Sequence, residues 1–418
     1  MSKAINIMSV VGARPNFMKA ASIMKAIESH NDNGGEPFIN QCLVHTGQHY
    51  DEKLSQHFFD DLCLFHPKVN LEVGSGSHAL QTAEIIRRFE PVLMDRAPDI
   101  LVVVGDVNST IACALVASKI SYCQHSGLGM NRPLIAHVEA GLRSGDRSMP
   151  EEINRILTDA LSDILFVTEE GAIGNLVREG IPQDKVFFVG NVMIDTLHDH
   201  LIKARRSSIK QTLGVNGNRY GLVTLHRPSN VDAREALEPL VCCLNRISRE
   251  VSLLFPMHPR TRVNLEKFGL MEDLHRSDSI KIIDPLGYLD FLNLLESATV
   301  VLTDSGGIQE ETTALGVPCV TLRENTERPI TVTSGTNYLV GTNHDEILKT
   351  ITEILCGKAK KGRVPPLWDG DSGKRIIAAL LKKTESILTK GTDSVQSNRN
   401  IFPEPNDSAY EPSDTKCP

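Results

Sequence analysis

The run Ile100-Leu-Val-Val-Val104, closed in by Pro98 and Gly105, is apolar throughout and almost entirely β-branched. A run of that kind reads as a strand buried on both faces, which requires a sheet covered by helices on both sides. It belongs to a series. Ile5–Val11, Phe38–His45, Leu134–Val138, Ile164–Val167 and Val186–Val189 read the same way, as do Leu222–Leu225, Leu253–Met257, Ile280–Ile283, Val300–Thr303 and Cys319–Leu322. Helical patterns fall between them over Phe17–Ser29, Tyr50–Phe59, Ala79–Asp95, Glu152–Leu161 and Glu169–Glu179. Strands alternating with helices predict an α/β protein with parallel sheets.

The rhythm breaks over 198–219, where His198–Gln211 is polar and basic and Gly214-Val-Asn-Gly217 is rich in turn formers. With 418 residues, and roughly 100–200 residues per domain, the pattern predicts two doubly wound Rossmann-like domains facing across a cleft. The first covers 1–198 and the second 199–370. Val364-Pro-Pro-Leu-Trp-Asp-Gly370 reads as a second crossing, after which a C-terminal helix in 371–389 packs back on the first domain. Residues 390–418, polar and Pro-rich, read as a disordered tail. Such domains bind ligands at the carboxyl ends of their strands, so unusual residues just after strands carry the functional signal.

Composition narrows the partners. There are 44 Lys+Arg against 52 Asp+Glu, a formal charge of −8. An acidic chain is poorly suited to nucleic acid, whose phosphates demand a basic surface. No apolar run is long enough to span a membrane, and the stretch after Met1 is too short for a signal peptide. The 9 cysteines are scattered without a C-x-x-C pair, the pattern of reduced thiols in a cytoplasmic protein.

Five motifs follow strands. Val11-Gly-Ala-Arg-Pro-Asn-Phe-Met-Lys19 is a glycine turn feeding a helix start, an anion site to which Arg14 and Lys19 add charge, or else a plain turn with Pro at the helix start. In Val104-Gly-Asp-Val-Asn-Ser-Thr110 the hydroxyls suit helix capping, but capping does not explain Asp106. In His137-Val-Glu-Ala-Gly-Leu-Arg143, Glu139 ends an apolar run, a costly place for a charge unless it is paired or working. Pro150 with Glu151 and Glu152 makes a helix start, so one of these glutamates would serve only the helix dipole; Arg143, Arg147 and Arg155 offer structural partners for the acids. Asp106, Glu139 and Glu151 together suggest acid/base work.

In the second half, His226 and His258 each follow a strand beside an arginine. Leu302-Thr-Asp-Ser-Gly-Gly-Ile-Gln-Glu-Glu311 is the most specific signal. Ser305-Gly306-Gly307 turns into a helix whose free N–H groups suit a diphosphate, and Glu311 suits ribose hydroxyls. Gly74-Ser-Gly-Ser-His-Ala79 matches a dinucleotide fingerprint only superficially, and His45 with His49 brackets a turn unsuited to zinc.

Taken in order, Gly12–Lys19, His45–Asp51, Gly105–Thr110, His137–Arg143, Pro150–Arg155, Thr224–Arg227, Asp304–Glu311 and Thr326-Glu-Arg-Pro329 resemble the non-hydrolysing UDP-N-acetylglucosamine 2-epimerases. The resemblance runs from about Ile5 to Ile387. It implies the glycosyltransferase-B fold, a homodimer, a UDP-sugar substrate, no metal or other cofactor, and a place in polysaccharide biosynthesis. It implies that Arg14, His226, Ser305 and Gly306 hold the diphosphate with Lys19 and Gly307 nearby, that Glu311 holds the ribose, and that the Phe291 region holds the uracil. Asp106, Glu139 and Glu151 become the acid/base carboxylates, with His226 also serving departure of UDP. Gln48 resembles a residue of a second, allosteric substrate site. Many relatives carry His-Arg-Arg-Glu where this chain has His226-Arg-Pro-Ser229, so one arginine and one acid of that region are missing. The alternatives are a 2-epimerase of a related sugar such as UDP-2,3-diacetamido-glucuronate, a hydrolysing epimerase, a UDP-sugar-dependent glycosyltransferase, and a non-catalytic sensor.

Overall fold

A computed structural model describes residues 3–48, 66–123 and 126–397, without the side chains of Arg14 and 389–397. The helix expected over Tyr50–Phe59 lies outside the described residues. Met1–Ile377 is one compact unit that holds both sheets, and Ala378–Pro418 is a second.

The first sheet contains β1 (Ile5–Val11), β2 (Ile39–His45), β3 (Val69–Asn70), β4 (Ile100–Val104), β5 (Leu134–Ala140), β6 (Ile164–Val167) and β7 (Val186–Phe188). Its order is β3-β2-β1-β4-β5-β6-β7, and every pairing is parallel. The second contains β8 (Tyr220–Thr224), β9 (Ser252–Pro256), β10 (Ile280–Ile283), β11 (Val300–Thr303), β12 (Cys319–Thr321) and β13 (Asn337–Leu339). It runs β10-β9-β8-β11-β12-β13, again parallel throughout. Strand order reverses between β1 and β4 in one sheet and between β8 and β11 in the other. These switch points open crevices at the carboxyl ends of the strands. The expected doubly wound α/β architecture is therefore present twice.

The central strand behaves as its composition demands. All of Ile100–Val104 is buried. Leu101 and Val103 pack with Ile85, Phe89 and Leu93 from the helix His78–Arg96.

Three details differ from expectation. The helix Val192–Ala204 runs straight through residue 198, so the expected joint is helical. The two-residue β3 and three-residue β13 carry too little pattern to announce themselves. The last helix covers Ser372–Ser397, well into the stretch expected to be disordered. That stretch has a single Gly before Ser397 and no Pro until Pro403, and one glycine costs a helix only about 1 kcal/mol. Before it, the crossing segment seats the chain's one tryptophan, Trp368, whose indole N–H donates to the Thr168 carbonyl at 3.0 Å. Among the described residues no helix is long and apolar enough to cross a membrane.

Candidate active site

β4 and β5 pair side by side, with Val104 opposite Val138. Each carries an acid at or near its carboxyl end, Asp106 two residues past β4 and Glu139 next to last in β5. Gly105 turns with φ +70, leading to Asp106. A Cβ there would stand 3.2 Å from Asn16 Nδ2, 3.3 Å from Lys19 Nζ and 3.4 Å from Glu139 Oε2, so the glycine leaves room for those groups. Asn16 fixes the neighbouring turn. Its amide donates to the Val104 carbonyl at 2.8 Å, and its Oδ1 accepts the Ala13 N–H at 3.1 Å.

Glu139 does not end β5 as expected but sits inside it, at a register shift between Val138 and Ala140. Its φ is +75, in the left-handed region that a non-glycine residue seldom adopts. A bulge of this kind re-aims one side chain away from the alternation of the strand. Strain of this sort persists where surrounding structure over-determines it, and such places cluster at functional sites. The carboxylate is 6% exposed and held by two cations. Lys19, from the helix Arg14–Asp32, pairs with Oε2; Arg328 donates to Oε1 at 2.6 Å.

Asp106 accepts from Arg155 at 2.6 Å, and its carbonyl accepts from Asn154 at 2.9 Å. Burial works to raise its pKa, but Arg155, Lys19 and Arg328 outweigh that and hold it below the usual aspartate value. Arg155 also grips Glu152 at 2.7 Å. Glu152 in turn accepts the Ser144 and Gly145 N–H groups at 3.0 and 2.9 Å, so it is the glutamate of the pair that serves structure. Glu151, on the first turn of the helix Pro150–Leu161, has no hydrogen-bond or ion-pair partner among the described residues. It lies four residues before Arg155, on the same helix face. The structure thus joins Asp106 and Glu139 through shared cations and leaves Glu151 outside that cluster. Arg143, a possible partner for the cleft acids, pairs instead with Asp159 at 2.7 Å and Glu179 at 2.6 Å.

In the second half, β8 and β11 end side by side, Thr224 opposite Thr303. Asp304, fully buried, accepts the backbone N–H groups of His226 and Arg227 and lies 3.0 Å from His226 Nδ1. Burial pushes its pKa up, and His226 with those N–H groups pulls it down further, to a net lowering. Asp304 therefore fixes the His226 loop, while the His226 side chain stays 39% exposed. His226 and His258 stand with ring centroids 5.7 Å apart.

The helix Gly306–Leu315 begins directly after Ser305, which caps it without a side-chain hydrogen bond. Here Gly306 has a role the sequence did not disclose. A Cβ on it would meet Arg328 Nη1 at 2.7 Å and Glu327 Oε1 at 2.8 Å, whereas the nearest atom to one on Gly307 is Met193 Cε at 3.9 Å. Glu311 is buried and accepts from the Tyr288 hydroxyl at 3.0 Å. Burial, with Glu310 adding to it, pushes its pKa up to about 7 against the pull of Tyr288. Phe291 is partly buried against the core cluster that contains Leu292, Leu294 and Leu295.

Arg14 opens its helix, but its side chain lies outside the described residues. Gln48 is buried; its Oε1 accepts from the Ser109 hydroxyl at 2.8 Å and the Ser109 N–H at 3.2 Å, at the start of the helix Asn108–Lys119.

Sequence reasoning missed Arg328, Glu310, Glu327 and Glu169 as site residues. Thr326-Glu-Arg-Pro329 follows no long strand and matches no anion motif, so only its place in the family pattern marked it. Arg328 reaches Glu139 at 2.6 Å, Glu327 at 2.6 Å and Glu310 at 2.9 Å. Burial raises the Glu327 pKa, but Arg328, Arg323, Arg155 and Arg227 overcome it and leave the carboxyl far below the ordinary range. Burial raises Glu310, Arg328 only partly offsetting it. Glu169, two residues past β6, is pushed up to about 7 by burial and by Glu310.

The model of the family described as UDP-N-acetylglucosamine 2-epimerase matches residues 33–381. The UDP-N-acetylglucosamine 2-epimerase of Methanocaldococcus jannaschii is 43% identical over 376 residues, covering 89% of this chain and 97% of that protein. A crystal structure of the Methanocaldococcus jannaschii UDP-GlcNAc 2-epimerase in complex with UDP-GlcNAc and UDP superposes with a TM-score of 0.80 at 42% identity, covering 90% of this chain and 100% of the other. The UDP-2,3-diacetamido-2,3-dideoxy-D-glucuronate 2-epimerase of Pseudomonas aeruginosa is 39% identical over 381 residues, 90% of this chain and 100% of that one. A lipopolysaccharide outer core galactosyltransferase, 13% identical with a TM-score of 0.52 over 91% of this chain and 99% of the other, shares the glycosyltransferase-B fold alone. With the family pattern spanning most of its length, the chain belongs to the UDP-N-acetylglucosamine 2-epimerase family.

Proposed function

We propose that this chain interconverts UDP-N-acetylglucosamine and UDP-N-acetylmannosamine by eliminating UDP to 2-acetamidoglucal and adding it back. The observation that carries this reading is the short span between Glu139 and the start of the Gly306 helix. One guanidinium, that of Arg328, touches Glu139 and abuts the space above Gly306. A leaving diphosphate on the helix N–H groups and a carboxylate at the neighbouring sugar carbon then share one cleft.

The hydrogen on C2 of the sugar has no adjacent carbonyl, so a side-chain base cannot take it from the intact substrate. If the C1–O bond breaks first, its electron pair leaves with the β-phosphate oxygen, and C1 becomes oxocarbenium-like. The C2 proton then passes to a carboxylate, and its bonding pair becomes the C1=C2 double bond. Returning a proton to the opposite face while UDP adds back to C1 inverts C2. Ser305, Gly306, Gly307, His226, Lys19 and Arg14 would receive the diphosphate charge. Asp106, Glu139 and Glu151 would supply the two faces with base and acid. Glu311 would meet the ribose and the Phe291 region the uracil, with Gln48 assigned to a second substrate site.

Proton NMR of the protein with UDP-GlcNAc in deuterated water tests this. The expected product is UDP-ManNAc carrying deuterium at C2. Free ManNAc with UDP indicates the hydrolysing reaction. No turnover despite binding points to another sugar, for which the relative acting on UDP-2,3-diacetamido-2,3-dideoxy-D-glucuronate gives the first compound to try, or to a transferase lacking its acceptor.

We infer as well that two copies associate. Leu80 on the helix His78–Arg96 and Leu157 on the helix Pro150–Leu161 are 71% and 48% exposed, and the same helices line a groove with Ala83, Ile86 and Ile153. Light scattering of the chain and of L80E/L157E tests the dimer. The cysteines among the described residues are free thiols, which supports a cytoplasmic location.

A further inference from the structure

We propose that Arg328 is a positioning residue for Glu139, the group by which the second half of the protein sets the orientation of a carboxylate belonging to the first. The inference rests on the reading of Glu139 as an acid/base group. Glu139 stands on a bulge in the left-handed region, so strand pairing does not fix its side chain. Its restraint comes from two cations of different kinds. Lys19 is a compact ammonium on a flexible stem beside the Gly12 turn, where an anionic substrate would compete for it. Arg328 is a planar fork facing three carboxylates. Nη1 is 2.6 Å from Glu327, Nε is 2.9 Å from Glu310, and Nη2 is left for Glu139 at 2.6 Å.

That plane is fixed from the second half. Glu327 and Glu310 hold it on two sides, and Gly306 provides the space against which Nη1 packs. Arg328 is 5% exposed, with its charge faced by Glu139, Glu310 and Glu327. When the diphosphate draws Lys19 away, Arg328 keeps Oε1 of Glu139 in place and leaves Oε2 for the C2 proton. The carboxylate is thus aligned across the two halves by Arg328, so C1–O cleavage does not run ahead of a base able to complete the elimination.

Turnover, KM and UDP affinity of R328M, R328K, E139Q and E139Q/R328M test this. We expect R328M to lower kcat about 100-fold, the scale of a misplaced catalytic group, with KM and UDP affinity little changed. R328K, which keeps the charge and loses the fork, should lose less. In the double variant R328M should cost within about 2-fold of E139Q alone, because its effect passes through Glu139. Losses that multiply in the double variant, or a loss confined to UDP affinity, would make Arg328 a brace and overturn the proposal. If R328M does not fold, full kcat in R328K overturns it equally. Near-normal turnover in E139Q removes the reading of Glu139 itself, whatever R328M does.

Discussion

The imidazole of His137 lies between Asp159 and the carbonyl of Gly105, with Nδ1 2.6 Å from Asp159 Oδ1 and Nε2 2.8 Å from the Gly105 oxygen. Asp159 also accepts the Gly141 N–H at 3.0 Å and Arg143 at 2.7 Å. One buried ion cluster therefore ties together the turns that present Asp106 and Glu139. Burial raises the Asp159 pKa, but His137 and Arg143 lower it more, for a net fall below 3.8. A depressed carboxylate contributes stability that is complete above its unfolded value and lost as pH falls through the folded one. Asp159→Asn should cost about 1–3 kcal/mol, since it weakens the buried hydrogen bonds to His137 and the Gly141 N–H while Arg143 keeps Glu179, and should blunt the loss of stability below pH 4. Urea unfolding from pH 3 to pH 7 measures both, and a wild-type acid limb in the variant would refute the assignment.

Glu311 and Glu169 have the opposite sign. Burial, aided by Glu310, raises each from 4.5 to about 7. Between these values the folded chain holds protons that the unfolded chain has released. Stability should therefore fall as pH rises from about 4.5 to 7, by at most about 1.4 kcal/mol per pH unit for each group. Glu311→Gln should flatten this slope and make the ligand-free protein relatively more stable at pH 7.5. Urea midpoints at pH 5, 6, 7 and 8 decide it; an unchanged slope would show that Glu311 ionises normally.

Two neighbouring glycines should separate sharply. On Gly306 a methyl would meet Arg328 and Glu327 below 3.0 Å, both held in a tight charge cluster; on Gly307 it would meet only Met193 at 3.9 Å. Gly306→Ala should lower kcat by on the order of 10–100-fold through displacement of Arg328, and Gly307→Ala should lose clearly less, because its methyl displaces no charged group. Steady-state kinetics of the pair, with UDP affinity measured alongside, tests the contrast. Equal turnover would mean that Arg328 yields without consequence.

The contrast also marks the boundary of what the sequence discloses. Ile100–Val104 is legible because burial on both faces leaves no place for a polar residue, and the strand appears with those bounds. Asp106 and Glu139 are legible because an acid directly after such a run has a high cost that something must offset. Glu152 and Glu151 were not separable, since adjacent glutamates on a first helical turn look alike until the Ser144–Gly145 turn folds onto one of them. Arg328 was least legible. Its partners lie in three separate segments, 189 residues away in the case of Glu139, and no local period records a contact across two sheets. Gly306 signalled an anion site but not its packing against Arg328, because a missing Cβ does not say what fills the space.

The carboxylates themselves give the most direct chemical test. Asp106→Asn and Glu139→Gln remove a charge from a cluster whose cations remain, while Glu151→Gln removes one with no partner among the described residues. All three should lose most turnover, by about 100-fold or more as expected for general acid/base groups, and keep UDP affinity, because none of them belongs to the Gly306 helix. Asp106→Asn and Glu139→Gln should also change stability, whereas Glu151→Gln should leave it unaltered. Glu152→Gln is the control: it weakens the Ser144–Gly145 turn and the Arg155 pairing, so it should lower the unfolding midpoint more than it lowers kcat. Turnover, UDP calorimetry and urea unfolding on the four variants test the set. Near-normal rates in Asp106→Asn, Glu139→Gln and Glu151→Gln would remove the acid/base assignment, and a Glu152→Gln variant that is stable but inactive would move catalysis from Glu151 to its neighbour.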